Sequence, residues 1–254
     1  MEQVRIEQSD GVLRIELNRP EKKNAITLAM YQALADALGS AQSDARGRVV
    51  LVHGQPEAFT AGNDLRDFLA NPPRDESHPV FLFLRALRDF DKPIVAAVSG
   101  PAVGIGTTML LHCDLVYAAS DARFALPFVN LALCPEAGSS YLLARLAGYP
   151  RAAELLLLGE PFSAERALEI GLVNAIVPPA QLLDTAAAMA RRLAQKPPDS
   201  LRVTKSLMRR ALMPGIEQAM AAENLAFRER LGSAEAKEAM SAFLEKRPPQ
   251  FSKG

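Results

Sequence analysis

Three short stretches of this chain carry residue types that could do chemistry. The first is Ala58-Phe59-Thr60-Ala61-Gly62-Asn63-Asp64-Leu65, a small-residue loop between the apolar run at residues 49–52 and a helical pattern that starts at Asp64. Gly62 lets main chain approach a ligand closely, and amides at such a loop-to-helix junction have no partner further along the helix. The same residues also fit an ordinary tight connection with Asp64 as the N-cap. The second stretch is Gly100-Pro101-Ala102-Val103-Gly104-Ile105-Gly106-Thr107-Thr108, in which a buried strand meets a glycine-rich turn and a helix start. It is not a dinucleotide fingerprint, because Met109 stands where GxGxxG needs its third glycine, and it has no P-loop lysine. Taken together, the two junctions can each aim one N–H at a single oxygen, the arrangement of an oxyanion hole. The third stretch is Leu133-Cys134-Pro135-Glu136-Ala137-Gly138-Ser139-Ser140-Tyr141. Here a lone carboxylate follows the apolar residues Leu126, Phe128, Leu131 and Leu133, which would raise its pKa and keep water away. Pro135-Glu136 fits equally well as the first turn of a helix, a setting that lowers a carboxyl pKa.

These stretches must be positioned by regular elements. Leu13, Ile15 and Leu17 alternate with Arg14 and Glu16, which predicts a half-buried strand. Met30, Leu34 and Leu38 predict a helix with Thr27 as its N-cap. Residues 49–52, 93–98 and 115–118 predict strands buried on both faces. Phe81, Leu84 and Leu87 predict a helix. Beyond about residue 137 the pattern is helical, interrupted by a predicted strand at 172–177. Pro197-Pro198, Met213-Pro214-Gly215 and Gly232-Ser233 split the last fifty residues into three helical segments. Alternating strands and helices followed by a helical tail predict an α/β fold with an added helical module.

Composition narrows the function classes. The 254 residues have zero formal net charge, 49% apolar and 23% charged residues, so no broad field favours nucleic acid or an anionic membrane. No window of eighteen apolar residues occurs and the N-terminus has no apolar signal core, so a cytoplasmic protein is expected. Cys113 and Cys134 form no CxxC or Cys/His set, so no metal site is expected. His53, His78 and His112 have no acidic or thiol partner at a telling spacing.

Over nearly its whole length the chain resembles the crotonase (enoyl-CoA hydratase/isomerase) superfamily. The matching blocks, in order, are AFTAGNDL, SGPAVGIGTTMLLHCDLVYA, FALPFVNLALCPEAGSSYLLARLAG and LLLLGEPFSAERALEIGLVNAIVP. The resemblance implies a crotonase (ClpP-like) ββα superhelix over residues 1–195 with a C-terminal helical trimerisation module at 196–254. It implies an acyl-CoA substrate, no separate cofactor, and a homotrimer or dimer of trimers. By the same resemblance the backbone N–H groups of Asn63 and Ile105 hold the thioester oxygen as an enolate forms. Lys22, Ala61, Asp64 and Leu65 then fall in segments that touch coenzyme A, and Phe243 and Lys246 map to residues that reach a neighbouring subunit's coenzyme. Hydratases of this family use two glutamates. Thr108 and Phe128 occupy those positions here, and neither can act as a base. Glu136 instead matches the single glutamate of the Δ3,Δ2-enoyl-CoA isomerases, most closely the peroxisomal type. An acyl-CoA isomerase is therefore expected. Other crotonase chemistry, such as hydration or acyl-CoA hydrolysis, and a non-catalytic acyl-CoA-binding protein remain the alternatives.

Overall fold

The computed structural model describes residues 2–251. The chain opens with a hairpin of β1 (Val4–Ser9), exposed beyond Val4, and β2 (Val12–Leu17), in which Leu13, Ile15 and Leu17 are buried and Arg14 and Glu16 less so. Helix α1 (Leu28–Ser43) starts at Thr27, whose side chain accepts a hydrogen bond from the Met30 amide. Strand β3 (Val49–His53), helices α2 (Leu65–Ala70) and α3 (Pro79–Asp89), and strand β4 (Ile94–Val98) follow. Next come β5 (Pro101–Val103), the single turn α4 (Ile105–Thr108), β6 (Leu115–Ala119) and β7 (Arg123–Ala125). Helices α5 (Ser139–Ala147) and α6 (Tyr149–Leu158), the two-residue strand β8 (Phe162–Ser163), α7 (Ala164–Glu169) and β9 (Ala175–Val177) complete the mixed part. Four helices end the chain: α8 (Leu182–Ala194), α9 (Pro198–Arg210), α10 (Met213–Leu231) and α11 (Ala234–Glu245).

The main sheet has the order β1-β2-β3-β4-β6-β9 and is parallel except for the β1–β2 hairpin. All five residues of β3 and of β4 are buried. Val50, Val52, Ile94, Ala96 and Val98 face the larger core, shared with α1 and α3. Val49, Leu51, Val95 and Ala97 face α8, which offers Ala186, Ala190 and Ala194 at helical spacing, so its backbone can approach the sheet closely.

A second sheet, β5-β7-β8, was not visible in the sequence. Its strands have two or three residues, too few to show a period. The strand expected at 172–177 is shorter than its apolar run. The amides of Leu172 and Val173 both bond back to Ala167 O, closing a turn after α7, and only Ala175–Val177 pairs with β6. The helical tail folds back on its own chain. Arg230 Nε donates to Ala132 O at 3.1 Å, and Gly138 packs beside Ile216 and Met220 of α10.

Candidate active site

Between β3 and α2, the loop at residues 58–64 is laced to main chain on both sides. Phe59 N and Thr60 N donate to Ser99 O and Pro101 O, and Val103 N donates back to Thr60 O. On the other side Ala61 N donates to Lys23 O, Ile26 N to Gly62 O, and Asp64 N to Ile26 O. The fully buried Asn24 donates through Nδ2 to Ala58 O and Phe59 O, and the Thr60 hydroxyl donates to Asn24 O and accepts from Gly62 N. Every amide from Phe59 to Asp64 is thereby used except one, that of Asn63.

The second loop leaves its amides in the same condition. Gly104 N donates to Ala125 O, and Thr107 N and Thr108 N donate to Gly104 O. Ile105 and Gly106, the first two residues of α4, are left without a hydrogen-bonded partner among the described residues. Gly104 reaches this turn with φ 56° and ψ −117°, a conformation open essentially to glycine. Gly106 has no room for a side chain, since a Cβ there would sit 2.5 Å from Thr60 Cγ2. The two loops are therefore in direct contact, and their spare amides, Asn63 N–H and Ile105 N–H, belong to the wall of one cavity of about 540 Å³. Two such donors can together hold one oxygen on which negative charge develops.

The same wall includes Lys22, Ala61, Asp64 and Leu65 near the first loop, and Phe128, Leu131 and Leu133 opposite. Asp64 caps α2 by accepting from the Arg66 and Asp67 amides and pairs with Arg19 Nη1 at 2.7 Å. Burial alone would raise the Asp64 pKa. The Arg19 contact and the two amides outweigh it and hold the carboxyl below its usual range. From the tail, Phe243 and Arg247 reach the rim of this same chain's cavity, whereas Lys246 ends α11 in a left-handed conformation and does not line it. Among the described residues, the basic residue of the tail that lines this chain's own cavity is Arg247.

Glu136 is not among the residues that line this cavity. It is 4% exposed and its Oε1 accepts no hydrogen bond, nor does the buried Thr108 hydroxyl one turn beyond Ile105 make one. Thr108 is close enough to ease ionisation slightly. Burial, followed by the nearby charge of Glu223, pushes the Glu136 carboxyl up to about 8.

The helix-start alternative for Pro135-Glu136 is overturned. Ala137 and Gly138 both have positive φ, and α5 begins only at Ser139. The acid that satisfies the start of α5 is instead Glu223 of α10, which accepts from Gly138 N, Ser140 N and Ser140 Oγ. Ser140 therefore serves Glu223 rather than Glu136. The histidines are structural. His53 Nε2 accepts from Arg14, and His78 caps α3. His112 Nε2–H donates to Ala137 O at 2.7 Å, and its burial pulls its pKa down to about 4, so it stays neutral. Burial pushes the Cys113 and Cys134 thiols up to about 12 and 11, away from reactive thiolate. Among the described residues no group of three or more His, Cys, Asp or Glu is placed to hold a metal ion.

One residue of this site was missed in the sequence. Tyr31 of α1 is fully buried, its hydroxyl donates to Asn63 Oδ1, and the Glu136 charge reaches it. In sequence it reads as one more apolar position of an amphipathic helix. Tyr31→Phe removes the bond that orients the Asn63 side chain. A five- to tenfold lower turnover is expected, about 1 kcal/mol, as for a lost neutral hydrogen bond, with an unchanged circular dichroism spectrum.

Comparison with known proteins settles the lineage. The family model described as Enoyl-CoA hydratase/isomerase matches residues 7–254. The chain belongs to the enoyl-CoA hydratase/isomerase family. Within this crotonase-type family it is 38% identical over 248 residues to the Escherichia coli protein named 1,2-epoxyphenylacetyl-CoA isomerase, covering 95% of each chain. It is 32% identical to the 2,3-dehydroadipyl-CoA hydratase of the same organism, covering 99% of each. Enoyl-CoA delta isomerase 2 of Rattus norvegicus is 36% identical over 94% of this chain and 62% of its own length. A crystal structure of an enoyl-CoA hydratase/isomerase from Pseudoalteromonas atlantica T6c superimposes with TM-score 0.94 at 40% identity, covering 99% of this chain and 100% of that one. Pseudomonas aeruginosa OdaA superimposes with TM-score 0.93 at 48% identity, covering 96% and 99%. The α/β architecture of this chain is thus the crotonase fold, and members of the enoyl-CoA hydratase/isomerase family process acyl-CoA thioesters. No helix among the described residues is long and apolar enough to cross a membrane.

Proposed function

We propose that this enzyme isomerises a 3-enoyl-CoA to the 2-trans-enoyl-CoA. The observation that carries this reading is the buried carboxyl of Glu136, with its pKa pushed up to about 8, while the two positions where a hydratase would carry its glutamates hold Thr108 and Phe128. The thioester oxygen sits between Asn63 N–H and Ile105 N–H. Glu136 takes a proton from C2, and the electron pair moves onto the carbonyl oxygen as the enolate forms. The enolate then collapses with the double bond between C2 and C3, and C4 receives the proton back from Glu136. No water is consumed, so no second acid–base group is needed. Thr108 and Phe128 supply none, and the apolar wall of Phe128, Leu131 and Leu133 helps exclude solvent. Coenzyme A enters only as part of the substrate, so no resident cofactor takes part. Lys22 and Arg247 at the rim suit its phosphates.

The test offers the protein a 3-enoyl-CoA and a 2-enoyl-CoA in separate assays. Conjugation appearing from the first substrate, without net hydration of the second, supports isomerisation. Full isomerase activity in Glu136→Gln would sink this reading, and hydration of the 2-enoyl-CoA as the main reaction would replace it.

The enzyme further works as a homotrimer or dimer of trimers. Tyr149, Leu157 and Leu158 on α6, with Val203, Leu207 and Met208 on α9, are large apolar side chains left exposed, surface that assembly would cover. Light scattering behind a sizing column is expected to give a mass of three or six times 27.5 kDa, and a stable monomer would contradict the assembly.

A further inference from the structure

Glu223 is a buried acid on α10 that the proposed reaction does not use. It is 6% exposed, yet its two oxygens accept three hydrogen bonds, all from the segment that carries Glu136. Gly138 N donates to Oε2 at 2.6 Å, and Ser140 N and Ser140 Oγ donate to Oε1 at 2.9 and 2.5 Å. Two of these donors are amides at the start of α5, which stabilise an ionised acceptor. Glu136 is two and four residues from those donors, and its Oε1 accepts nothing. Two buried carboxyls so close cannot both ionise freely. The unequal supply of donors decides that Glu223 holds the charge and Glu136 the proton.

We propose that Glu223 is a positioning residue for Glu136: it anchors the left-handed Ala137–Gly138 turn, and its fixed negative charge adds to burial in disfavouring a second charge on Glu136. This rests on the reading of Glu136 as the proton shuttle. The other groups around Glu136 do not duplicate the role. Tyr31 on α1 and the Thr108 hydroxyl on α4 are neutral, and burial raises the Tyr31 pKa further. His112, after α4, is held neutral and spends its one proton on Ala137 O. Cys134 on the same loop stays a thiol. Arg230, the nearest cation on α10, donates to Ala132 O on the approach to the loop, and its charge is felt at Cys134. Among the described residues, Glu223 is thus the one charged group that adds to burial in keeping Glu136 protonated.

The test is a ¹³C NMR titration of protein labelled at the glutamate carboxyls, with Glu136 assigned by the signal lost in Glu136→Gln and Glu223 by that lost in Glu223→Gln. In the native protein the Glu223 carboxyl is expected to ionise first and Glu136 at higher pH. In Glu223→Gln the Glu136 midpoint is expected to fall by on the order of one unit, and the acid limb of kcat/KM to shift down with it. Glu223→Asp, which keeps the charge, is expected to leave both near their native positions. Should Glu223→Gln not fold, Glu136→Gln tests the order of ionisation: the Glu223 midpoint is expected to stay at its native place, because Glu136 is still protonated when Glu223 ionises. Ionisation of Glu136 before Glu223, a Glu136 midpoint unmoved in Glu223→Gln, or a Glu223 midpoint that moves in Glu136→Gln overturns the proposal. If Glu136→Gln stays an active isomerase while the two midpoints remain coupled, the shuttle reading fails and the carboxylate pairing stands.

Discussion

Glu136→Gln is expected to lower isomerase kcat by on the order of 10³-fold, with little change in KM. The amide keeps the shape of the acid but cannot carry a proton from C2 to C4, and loss of a positioned general base typically costs 10²- to 10⁴-fold. Asn63 and Ile105 are untouched, so binding of the thioester survives. The same substitution reports on stability. A carboxyl whose folded pKa of about 8 lies above its ordinary 4.5 binds its proton more tightly in the folded chain. That contribution is fully present below the ordinary value and is lost as pH rises through the folded one. Between those limits the folded protein becomes less stable with increasing pH, by on the order of 5 kcal/mol for a shift of this size. Glutamine does not ionise, so thermal melts of Glu136→Gln are expected to lose this alkaline decline. Activity of the native enzyme runs the other way, rising toward pH 8 as the base form of Glu136 becomes populated. An enzyme that is most active where it is least stable is the signature expected of a buried base.

Gly62→Ala is expected to lower kcat by about 10²- to 10³-fold although it changes no side chain that could take part in the reaction. Gly62 has φ 86°, and a Cβ on it would lie 2.8 Å from Val103 O, a main-chain atom that cannot swing aside. The two loops must then separate, and the Val103 N to Thr60 O bond at 3.0 Å is the contact that gives. Asn63 N–H and Ile105 N–H come from opposite sides of that seam. Spreading them removes one donor from the developing enolate, which in other enzymes costs about 3–4 kcal/mol of transition-state stabilisation. Gly104→Ala is the informative contrast. Its φ is also positive, but a Cβ there meets nothing within 4 Å, so the strain is conformational and the two loops stay in contact. Steady-state kinetics with thermal melts separate the outcomes: the Gly62 variant loses kcat beyond its loss of stability, whereas the Gly104 variant loses mainly stability.

Much of this site is readable in sequence because backbone geometry writes itself in glycines and small residues. Gly62 and Gly104–Gly106 each follow an apolar run that had to be a buried strand, and the spare amides fall where that pattern ends. The expected strands at 49–52 and 93–98 and the caps Thr27 and Asp64 are present for the same local reason. Glu136 needed the family resemblance. On local rules Pro-Glu looks like a helix start, and the contrary signal, Ala137-Gly138 turning left-handed, is carried by one glycine two residues later. Glu223 could not be found at all. Its bond to Gly138 spans 85 residues, and on α10 it looks like any other acid of an exposed helix. Tyr31 was hidden differently, since a hydroxyl on a buried helical face has no spacing to betray it. Contacts set by tertiary packing between distant elements leave no period behind.

The span between Glu223 and α5 also fixes an order of events during synthesis. Both amide-bearing loops are complete once β7 has been made, but the turn beside Glu136 has no anchoring carboxylate until α10 leaves the ribosome. At roughly 5–20 residues per second, that gap lasts several seconds. A nascent chain in that interval has both amide loops, while its base sits on an unfastened turn and the cavity still lacks the wall that α10 and α11 supply. Shortening the protein at the start of the helical tail would leave it there, with both amide loops but neither a closed cavity nor an anchored base.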